Sequence, residues 1–427
     1  MTTFLISGAS VAGPALAYWL QRFSHTATVI EKAPAPRPGG YAVDFRGASL
    51  DVLDRMGLRA AVEARATRMG GMDYVNESGK VVARTSETAF SGELEVLRGD
   101  LVEILYDATR DGVEYVFSDS ITRLSEDADG VLVEFERGAP RRFDLVIGAD
   151  GLHSTVRRLA FGPEQDFRHD LGYAVSVATV PNHLDLDHTG RLLSLPGKTV
   201  GAYSARGNTE AKALFYFATD TSKASKSPAV DRRDTAAQRQ LVEDTFTGIG
   251  WEVPRLLSEL RVADDFYFDS ISQIKLDSYS RGRIALVGDA GYCASPLSGM
   301  GTSLGIVGAY VLAGELQAAL TDAKDRRADD VAHRPGSTPA AAHLRAFAAY
   351  DAVMRPFVAA CQKQAVDGAR WFIPGSRAFL ALRNLTFRLM PYLPWRKLID
   401  ELPLKVGNAV ELKQYEARRP LPAVPPR

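Results

Sequence analysis

The first residues whose spacing could do chemistry are two glycines near the N-terminus, in Gly8-Ala9-Ser10-Val11-Ala12-Gly13. The segment lies between an apolar run and a helical pattern, and Glu31 follows Gly13 by eighteen residues. Gly8 permits a tight turn and Gly13 permits close helix–strand packing, while the N–H groups at the helix start attract a pyrophosphate. Glu31 has the spacing of an acid that accepts from a ribose hydroxyl. The motif predicts a dinucleotide-binding turn, with a structural turn as the alternative; Ser10 replaces the usual second glycine.

A second motif, Asp150-Gly151-Leu152-His153-Ser154-Thr155-Val156-Arg157, follows the apolar run Phe143 to Ile147. Gly151 permits a sharp turn, Ser154 suits a helix N-cap, and Arg157 places a permanent cation one turn into the helix. On its own the motif is equally compatible with a cofactor site and with a strand–turn–helix that contains an Asp–Arg pair.

A third motif runs from Gly288 and Asp289 through Pro296, Gly299 and Gly301. An aspartate at the end of a strand can accept a hydrogen bond from a sugar-like hydroxyl, and glycines let the backbone approach a flat ring. The helix predicted from about Thr302 to Leu320 would direct its positive end at that ring.

The elements that must position these motifs are those of an α/β fold. Short apolar strands at 4–6, 27–31, 143–147 and 283–287, with helices between them, predict a Rossmann-like domain with a parallel sheet. Strand-like runs at 174–180, 191–195, 199–203 and 213–218, with a helix near 235–246, predict a separate antiparallel sheet. We therefore predict a discontinuous cofactor domain (1–71, 98–172 and 270–345), a substrate domain (72–97 and 173–269), C-terminal helices (346–420) and a loose tail (421–427). A charged loop is expected at 325–341.

Composition excludes several classes of protein. With 51 basic and 52 acidic residues in 427, the chain has no electrostatic footprint for nucleic acid. Its two cysteines, Cys293 and Cys361, have no metal-ligand spacing and form no disulfide framework, so we expect no metal and a reducing, cytoplasmic location. The apolar start lacks a basic n-region, and we expect neither a signal peptide nor a membrane span. A monomer or a homodimer is expected.

Taken in this order, the three motifs resemble those of the group A flavoprotein monooxygenases, the family of para-hydroxybenzoate hydroxylase and the tetracycline-inactivating and polyketide-hydroxylating enzymes. The resemblance covers about Thr2 to Leu320. It implies bound FAD, with NADPH or NADH as a transient electron donor and O2 as co-substrate. The implied activity is hydroxylation of an aromatic or polyketide-like small molecule through a flavin C4a-hydroperoxide. The tetracycline-inactivating enzymes are the closer shape, since the chain is too short for an added thioredoxin-like domain.

The resemblance also implies roles for individual residues. Gly8, Ser10 and Gly13 would hold the FAD pyrophosphate, and Glu31 the adenosine ribose. Arg98 would contact the phosphate or ribityl region, and Arg46 would lie near the pyrophosphate and assist NAD(P)H. Asp150 and Arg157 would serve both cofactors. The third motif would supply Gly288 and Asp289 for the ribityl chain and Pro296, Gly299 and Gly301 for the isoalloxazine. Gly308-Ala309-Tyr310 departs from the family, where an Asp-Ala pair is common.

The substrate site is less clearly marked. In Leu214 to Ala218, period-two geometry puts Phe215 and Phe217 on one face, which would suit a flat ligand or belong to the core. Tyr203 is a further candidate, and no side chain is identified as the catalytic acid or base. The aromatic and basic segment Trp371 to Trp395 is predicted to pack across both domains, with membrane-surface binding as the alternative.

Other functions stay open. On the same fold, Baeyer–Villiger oxygen insertion or a FAD-dependent dehydrogenase would use the same motifs. A plain NAD-dependent dehydrogenase would need only the first motif and Glu31, and a flavin-binding protein without catalysis would need no substrate site.

Overall fold

The computed structural model describes residues 1–37, 39–85, 92–219, 231–330, 342–392 and 402–415. A six-stranded sheet in the order β17-β18-β11-β1-β2-β7 forms the centre of one half of the molecule. Its strands are β1 (Thr3–Ser7), β2 (Thr26–Glu31), β7 (Glu114–Phe117), β11 (Leu145–Gly148), β17 (Ser280–Arg281) and β18 (Ile284–Leu286). All neighbours are parallel except β17 and β18. Every residue of β11 is buried, as expected of a parallel strand covered on both faces.

Helices cover this sheet and bury its apolar side chains. They are α1 (Ala12–Arg22), α2 (Ala48–Met56), α3 (Arg59–Ala64), α4 (Arg98–Asp107), α5 (Thr155–Ala160), α8 (Asp289–Tyr292) and α9 (Gly301–Asp330). Eight of the eleven residues of α1 are buried. The first and third glycine motifs lie at the N-termini of α1 and α9. Both helix N-termini therefore lie at the carboxyl edge of the parallel sheet.

A seven-stranded sheet in the order β16-β12-β15-β14-β13-β4-β5 forms the second half. Its strands are β4 (Met72–Val75), β5 (Val81–Arg84), β12 (Arg168–Pro181), β13 (Gly190–Leu195), β14 (Lys198–Ala205), β15 (Glu210–Ala218) and β16 (Tyr267–Ile274). Neighbours are antiparallel except β13 and β4, which run parallel. Two helices, α6 (Thr235–Phe246) and α7 (Val253–Val262), cover one face of it. The predicted α/β fold with a second, mainly antiparallel sheet is confirmed.

Two smaller sheets correct the sequence-based boundaries. Strands β3 (Ala42–Phe45) and β6 (Leu94–Leu97) pair with each other. Residues 94–97 therefore lie outside the seven-stranded sheet, although the sequence-based boundaries place them in the same domain. Strands β8 (Ile121–Asp127), β9 (Gly130–Phe135) and β10 (Arg141–Phe143) form a third unit. The run 143–147 is therefore two strands, because Asp144 leaves the ladder and its carboxylate accepts bonds from the Thr3 amide (2.7 Å) and hydroxyl (2.9 Å).

The C-terminal helices are α10 (Ala342–Phe372), α11 (Arg377–Leu389) and α12 (Leu402–Gly407). The loop expected at 325–341 is wrong for 325–330, where α9 continues because Ala and Arg favour a helix. Residues 331–341 and the tail 421–427 lie outside the described residues. Among those described, one helical stretch, Gly301–Ala323, is long and apolar enough to span a membrane. Its most apolar window is 78% buried within the protein, which is typical of a core helix.

Candidate flavin site

The first turn owes its shape to two glycines. Gly8 has φ +108°, and a Cβ there would lie 2.4 Å from the Ala149 carbonyl oxygen. A Cβ on Gly13 would lie 1.9 Å from the Gly8 carbonyl oxygen. Both separations are impossible for real atoms, so only glycine permits β1, the turn and α1 to pack this closely. The turn leaves the backbone of Ala9 and Ser10 facing a cleft.

Glu31 closes one side of that cleft. Its carboxylate accepts bonds from the backbone N–H groups of Ala9 and Ala33, both at 2.9 Å. It also lies 3.9 Å from the guanidinium of Arg37. The cleft is lined by Ser10, Glu31 and Arg98 together with Ala35, Pro36 and other neighbours. An acid fixed in this way at the end of β2 is suited to accept from a ribose hydroxyl.

Arg98 joins the first turn to the rest of the site. It is the first residue of α4, and its guanidinium donates to the Ser10 hydroxyl at 3.3 Å. A Cβ on Gly40 would lie 2.7 Å from Arg98 Nε, so the chain at Gly40 passes directly over the guanidinium. Tyr41 follows, and burial raises its pKa to about 12, with the carboxylate of Asp289 adding to the effect. Ser10, Arg98, Tyr41 and Asp289 therefore follow one another across the site.

The third motif packs against the first. Gly288 has φ +65°, and a Cβ there would lie 3.1 Å from Ala12 Cβ, at the start of α1. Asp289 begins α8, and its Oδ1 lies 4.0 Å from the position of a Cβ on Gly301, where α9 begins. Burial raises the pKa of Asp289. The carboxyl thus lies beside the N-terminus of a long helix, between the two glycine turns.

The loop between α8 and α9 is held in an unusual backbone conformation. Ser295 has φ +84°, which is rare for a residue with a side chain, and Gly299 has φ +62°. The Ser295 hydroxyl accepts from the Leu297 N–H at 3.2 Å, and Pro296 begins a short 3-10 turn that ends at Gly299. Strain of this kind persists where surrounding contacts fix it, and it is common at ligand sites.

Arg46 lies beside this loop and is buried. Its guanidinium donates to Asp44 Oδ2 at 3.2 Å, and that carboxylate lies 3.4 Å from where a Cβ on Gly299 would be. Glu95, directly opposite Asp44 on β6, completes the cluster. Arg46 is therefore linked to the third motif by Asp44, which lies between Arg46 and Gly299. The sequence did not indicate this cluster of Asp44, Arg46 and Glu95.

Asp150 and Arg157 do not form the pair that their spacing suggests. Asp150 caps α5, accepting from the Ser154 hydroxyl (2.5 Å) and from the N–H groups of Thr155 (2.8 Å) and Val156 (3.1 Å). Arg157 has no exposed surface. Its guanidinium donates to the carbonyl oxygens of Leu152 (2.6 Å) and Ala290 (2.9 Å) and to Glu164 (3.2 Å). Arg157 thus ties α5 to Ala290, the residue after Asp289.

His153 joins the two halves of the molecule. Its Nε2 lies 3.0 Å from Asp269 on β16, and its Nδ1 lies 3.0 Å from Glu164. Burial acts against the charged imidazole, but these two carboxylates outweigh it and raise the pKa of His153. His153 therefore forms a polar link between the segment that follows β11 and the second sheet.

The aromatic residues of β15 alternate between the two faces of the sheet, as the sequence predicts. Phe215 and Phe217 are buried under α6, where their rings lie 5.2 Å and 5.9 Å from the ring of Phe246. Of the two alternatives left open by the sequence, a ligand face or the core, these two residues belong to the core. Tyr216 points to the other face, is only partly buried, and its ring lies 4.8 Å from that of Phe372. Period-two geometry fixed which side chains share a face, but not which face the helices would cover.

Tyr203 lies on the same face of the sheet as Tyr216 and is buried. It clusters with Leu297 of the strained loop and with Phe372 of α10. Its hydroxyl accepts from the Ala42 N–H at 2.9 Å, which links β14 to β3. The sequence analysis named Tyr203 as a substrate-site candidate but not Tyr216. The position of Tyr216 between two phenylalanines on β15 is the sequence feature that could have indicated this face.

Comparison with known proteins agrees with this geometry. Residues 1–343 match the family model described as "FAD binding domain". A flavin-dependent monooxygenase of Legionella longbeachae is 40% identical over 97% of this chain and 98% of its own length. The crystal structure of tetracycline destructase Tet(55) has a TM-score of 0.79 and 37% identity, covering 97% of this chain and 99% of that one. An uncharacterised protein of Mycobacterium tuberculosis is 51% identical over 75% of this chain and 87% of its own length.

The chain belongs to the FAD-dependent monooxygenases. The predicted FAD cofactor and the assignment to the group A aromatic-hydroxylase type are confirmed. The structure explains one departure from the family pattern: Gly308 leaves room for Tyr292, whose hydroxyl would lie 1.9 Å from a Cβ at that position. Tyr310 occupies a core position where its hydroxyl donates to the Lys413 carbonyl at 2.7 Å.

Proposed function

We propose that this FAD-dependent monooxygenase takes electrons from NADPH or NADH and uses O2 to hydroxylate an aromatic or polyketide-like small molecule. The observation that carries the proposal is the aromatic face of the second sheet, where partly exposed Tyr216 and Leu297 of the strained loop pack against the same cluster as Tyr203. A flat apolar ring fits between an aromatic face and a glycine-lined loop. The tetracycline destructase that this chain resembles is named for a polycyclic substrate of this kind.

The residues present fit FAD. We assign Gly8, Ser10 and Gly13 to the pyrophosphate, Glu31 to the adenosine ribose and Arg98 to the phosphate or ribityl region. The fit rests on the cleft that Ser10, Glu31 and Arg98 line together. We further assign the ribityl chain and the isoalloxazine to residues of the third motif: Gly288, Asp289, Pro296, Gly299 and Gly301. Asp150 and Arg157 hold α5 and α8 in place around them.

The second sheet would contribute the substrate side of the site. Tyr216 and Phe372 present the aromatic surface, and Tyr203 supports it while holding β3 through Ala42. FAD, when bound, would supply hydride acceptance and oxygen activation. The chain's own residues orient the two rings and exclude water, which protects a reactive oxygen donor from hydrolysis. The N-terminus of α9 directs its N–H groups toward the flavin side of Gly301, where they would stabilise negative charge.

The activity test uses the purified holoenzyme with a panel of phenols and polycyclic polyketides, including tetracycline. We expect at least one substrate to accelerate NAD(P)H oxidation with matching O2 uptake, and mass spectrometry to show a product with one added oxygen. Failure of every aromatic compound to stimulate NAD(P)H oxidation would contradict the proposal.

A pair of variants tests the substrate face. Tyr216→Ala should raise the substrate KM about tenfold, a loss of ~1.4 kcal/mol that is typical of one aromatic contact, with FAD content unchanged. The matched control is Tyr392→Ala, since that side chain is 83% exposed and lies in the 3-10 turn that follows α11. Equal KM values for the two variants would remove Tyr216 from the substrate site.

A further inference from the structure

Two carboxyl groups face each other beside the strained loop. Asp44 on β3 and Glu95 on β6 are directly opposite in an antiparallel pair, so their side chains lie on the same face. Both are largely buried: the Asp44 side chain is 12% exposed and Glu95 is 7% exposed. Each carboxyl group influences the pKa of the other, as expected of two buried acids at opposite positions of a strand pair.

Two buried carboxylates at directly opposite positions repel each other, so the pair is most stable with one proton. The protonated group can then donate to the ionised one, which is an acceptor only. The neighbours show which group carries the proton. Asp44 accepts from the guanidinium of Arg46 at 3.2 Å and from the Gly92 N–H at 3.1 Å, which favours its ionised form. Outside the pair, the Glu95 carboxyl group accepts from a neutral donor, the Thr67 hydroxyl, at 2.5 Å. The proton therefore belongs on Glu95.

The electrostatics agree with this assignment. Burial, and then the charge of Asp44, raise the pKa of Glu95 to about 8. Burial also raises the pKa of Asp44, but Arg46 opposes that effect. The other charged or titratable groups that the described residues place around the pair are Arg46, Glu93, His188 (through the Thr67 carbonyl) and Tyr203. With Glu95 protonated, the pair carries one negative charge and Arg46 balances it.

The pair lies where the flavin is assigned. Asp44 Oδ2 is 3.4 Å from the position of a Cβ on Gly299, so the carboxylate touches the loop between α8 and α9. Tyr203 approaches the pair from the substrate sheet, and both carboxyl groups act on its pKa. The cluster is therefore the contact between the strained loop, β3 and the substrate sheet.

We propose that Asp44 and Glu95 are a proton-sharing positioning pair that couples FAD binding to pH. While Glu95 keeps its proton, it donates to Asp44 and holds that carboxylate against Arg46 and the Gly299 loop. When the proton leaves, two buried carboxylates repel each other across one strand pair, and the loop loses its support. The proposal rests on the FAD assignment and not on the identity of the substrate.

FAD binding should therefore weaken with rising pH. The loop conformation that binds the flavin is the one that the singly charged pair supports, so binding takes up as much as one proton above the pKa of Glu95. Linkage then limits the change in the dissociation constant to about tenfold per pH unit. Below that pKa, the affinity should be independent of this pair.

The experiment measures FAD released from diluted holoenzyme by flavin fluorescence, from about pH 6 to about pH 9.5, a range that brackets the titration. Wild type should lose FAD progressively above about pH 8, the pKa of Glu95. Glu95→Gln, which imitates the protonated acid and keeps its shape, should retain FAD at high pH and lose the pH dependence. Glu103→Gln, at a side chain 59% exposed on α4, is the matched control and should behave as wild type.

A second measurement needs neither turnover nor a variant that binds FAD normally. The infrared spectrum of the wild-type holoenzyme at neutral pH should contain a carboxylic acid C=O band that disappears on raising the pH and is missing in Glu95→Gln. A wild-type affinity that does not change with pH, an unchanged pH dependence in Glu95→Gln, or no band lost in that variant would each overturn the proposal. Because no readout uses a substrate, an inactive enzyme would refute the proposed function and leave this test intact.

Discussion

Replacing Arg157 with methionine separates a positioning role from direct contact with a cofactor. The side chain has no exposed surface, and its guanidinium donates to the carbonyl oxygens of Leu152 and Ala290 and to Glu164. Methionine fills similar space but donates nothing. The two carbonyl oxygens would each lose a donor in a buried site.

The expected cost follows from these contacts. A buried acceptor left without its partner costs about 1–3 kcal/mol, and two are affected. Glu164 keeps His153 and Arg168 as partners, so it adds little. Removing a buried cation recovers part of the desolvation penalty. We expect the free energy of unfolding to fall by about 3 kcal/mol, in apoprotein as well as holoenzyme.

The assay is urea unfolding of both forms, with Arg158→Met as the matched control. Arg158 is the next residue, is exposed, and should change stability by less than about 0.5 kcal/mol. FAD affinity should fall in Arg157→Met, because Arg157 holds Ala290, the residue after Asp289. The KM of the folded holoenzyme for NAD(P)H should stay unchanged. An Arg157→Met protein that is as stable as wild type but has a raised KM for NAD(P)H would refute the positioning role.

Three further predictions concern the same framework. Asp289→Ala should weaken FAD binding at least about tenfold (1.4 kcal/mol), measured by fluorescence titration. The apoprotein should be no less stable, because burying a carboxyl group is costly. Unchanged FAD retention would contradict the assignment of Asp289. Gly13→Ala should lose FAD and at least about 3 kcal/mol of stability, since its Cβ would meet a carbonyl oxygen at 1.9 Å, whereas Gly375→Ala, with nothing within 4 Å, should be neutral. Because the pKa of His153 is raised, its stabilising effect should be complete below about pH 6.5 and be lost as pH rises through the raised value. Thermal unfolding against pH should show this slope in wild type and not in His153→Ala, and equal slopes would argue against the link.

The parts of the site that could be predicted from sequence depend on local geometry. Gly8 and Gly13 are required by close contacts within one strand–turn–helix unit, so their spacing alone identifies the turn. Glu31 belongs to the next strand of the same unit and accepts from its backbone. The helix at 235–246 was predicted with its observed bounds, because its cap, Asp234, and its apolar spacing are also local.

What could not be predicted depends on how distant segments meet. Alternation along β15 shows that Phe215 and Phe217 share a face, but the position of α6 decides that this face is covered. Asp44 and Glu95 are 51 residues apart and become partners only because β3 pairs with β6. Neither residue belongs to a recognisable motif, since a proton-sharing pair is defined by burial and distance and not by spacing along the chain.

The half built on the six-stranded sheet and the half built on the seven-stranded sheet are joined by directional polar contacts as well as by apolar packing. Tyr203 accepts from Ala42 at 2.9 Å, and His153 meets Asp269 at 3.0 Å. On the C-terminal side, the Thr199 hydroxyl donates to the Phe372 carbonyl at 2.7 Å. Apolar contacts tolerate sliding, whereas a hydrogen bond weakens steeply when its distance or angle changes. These three bonds therefore fix the separation between the strained loop and Tyr216, and with it the geometry in which an aromatic ring could meet the flavin.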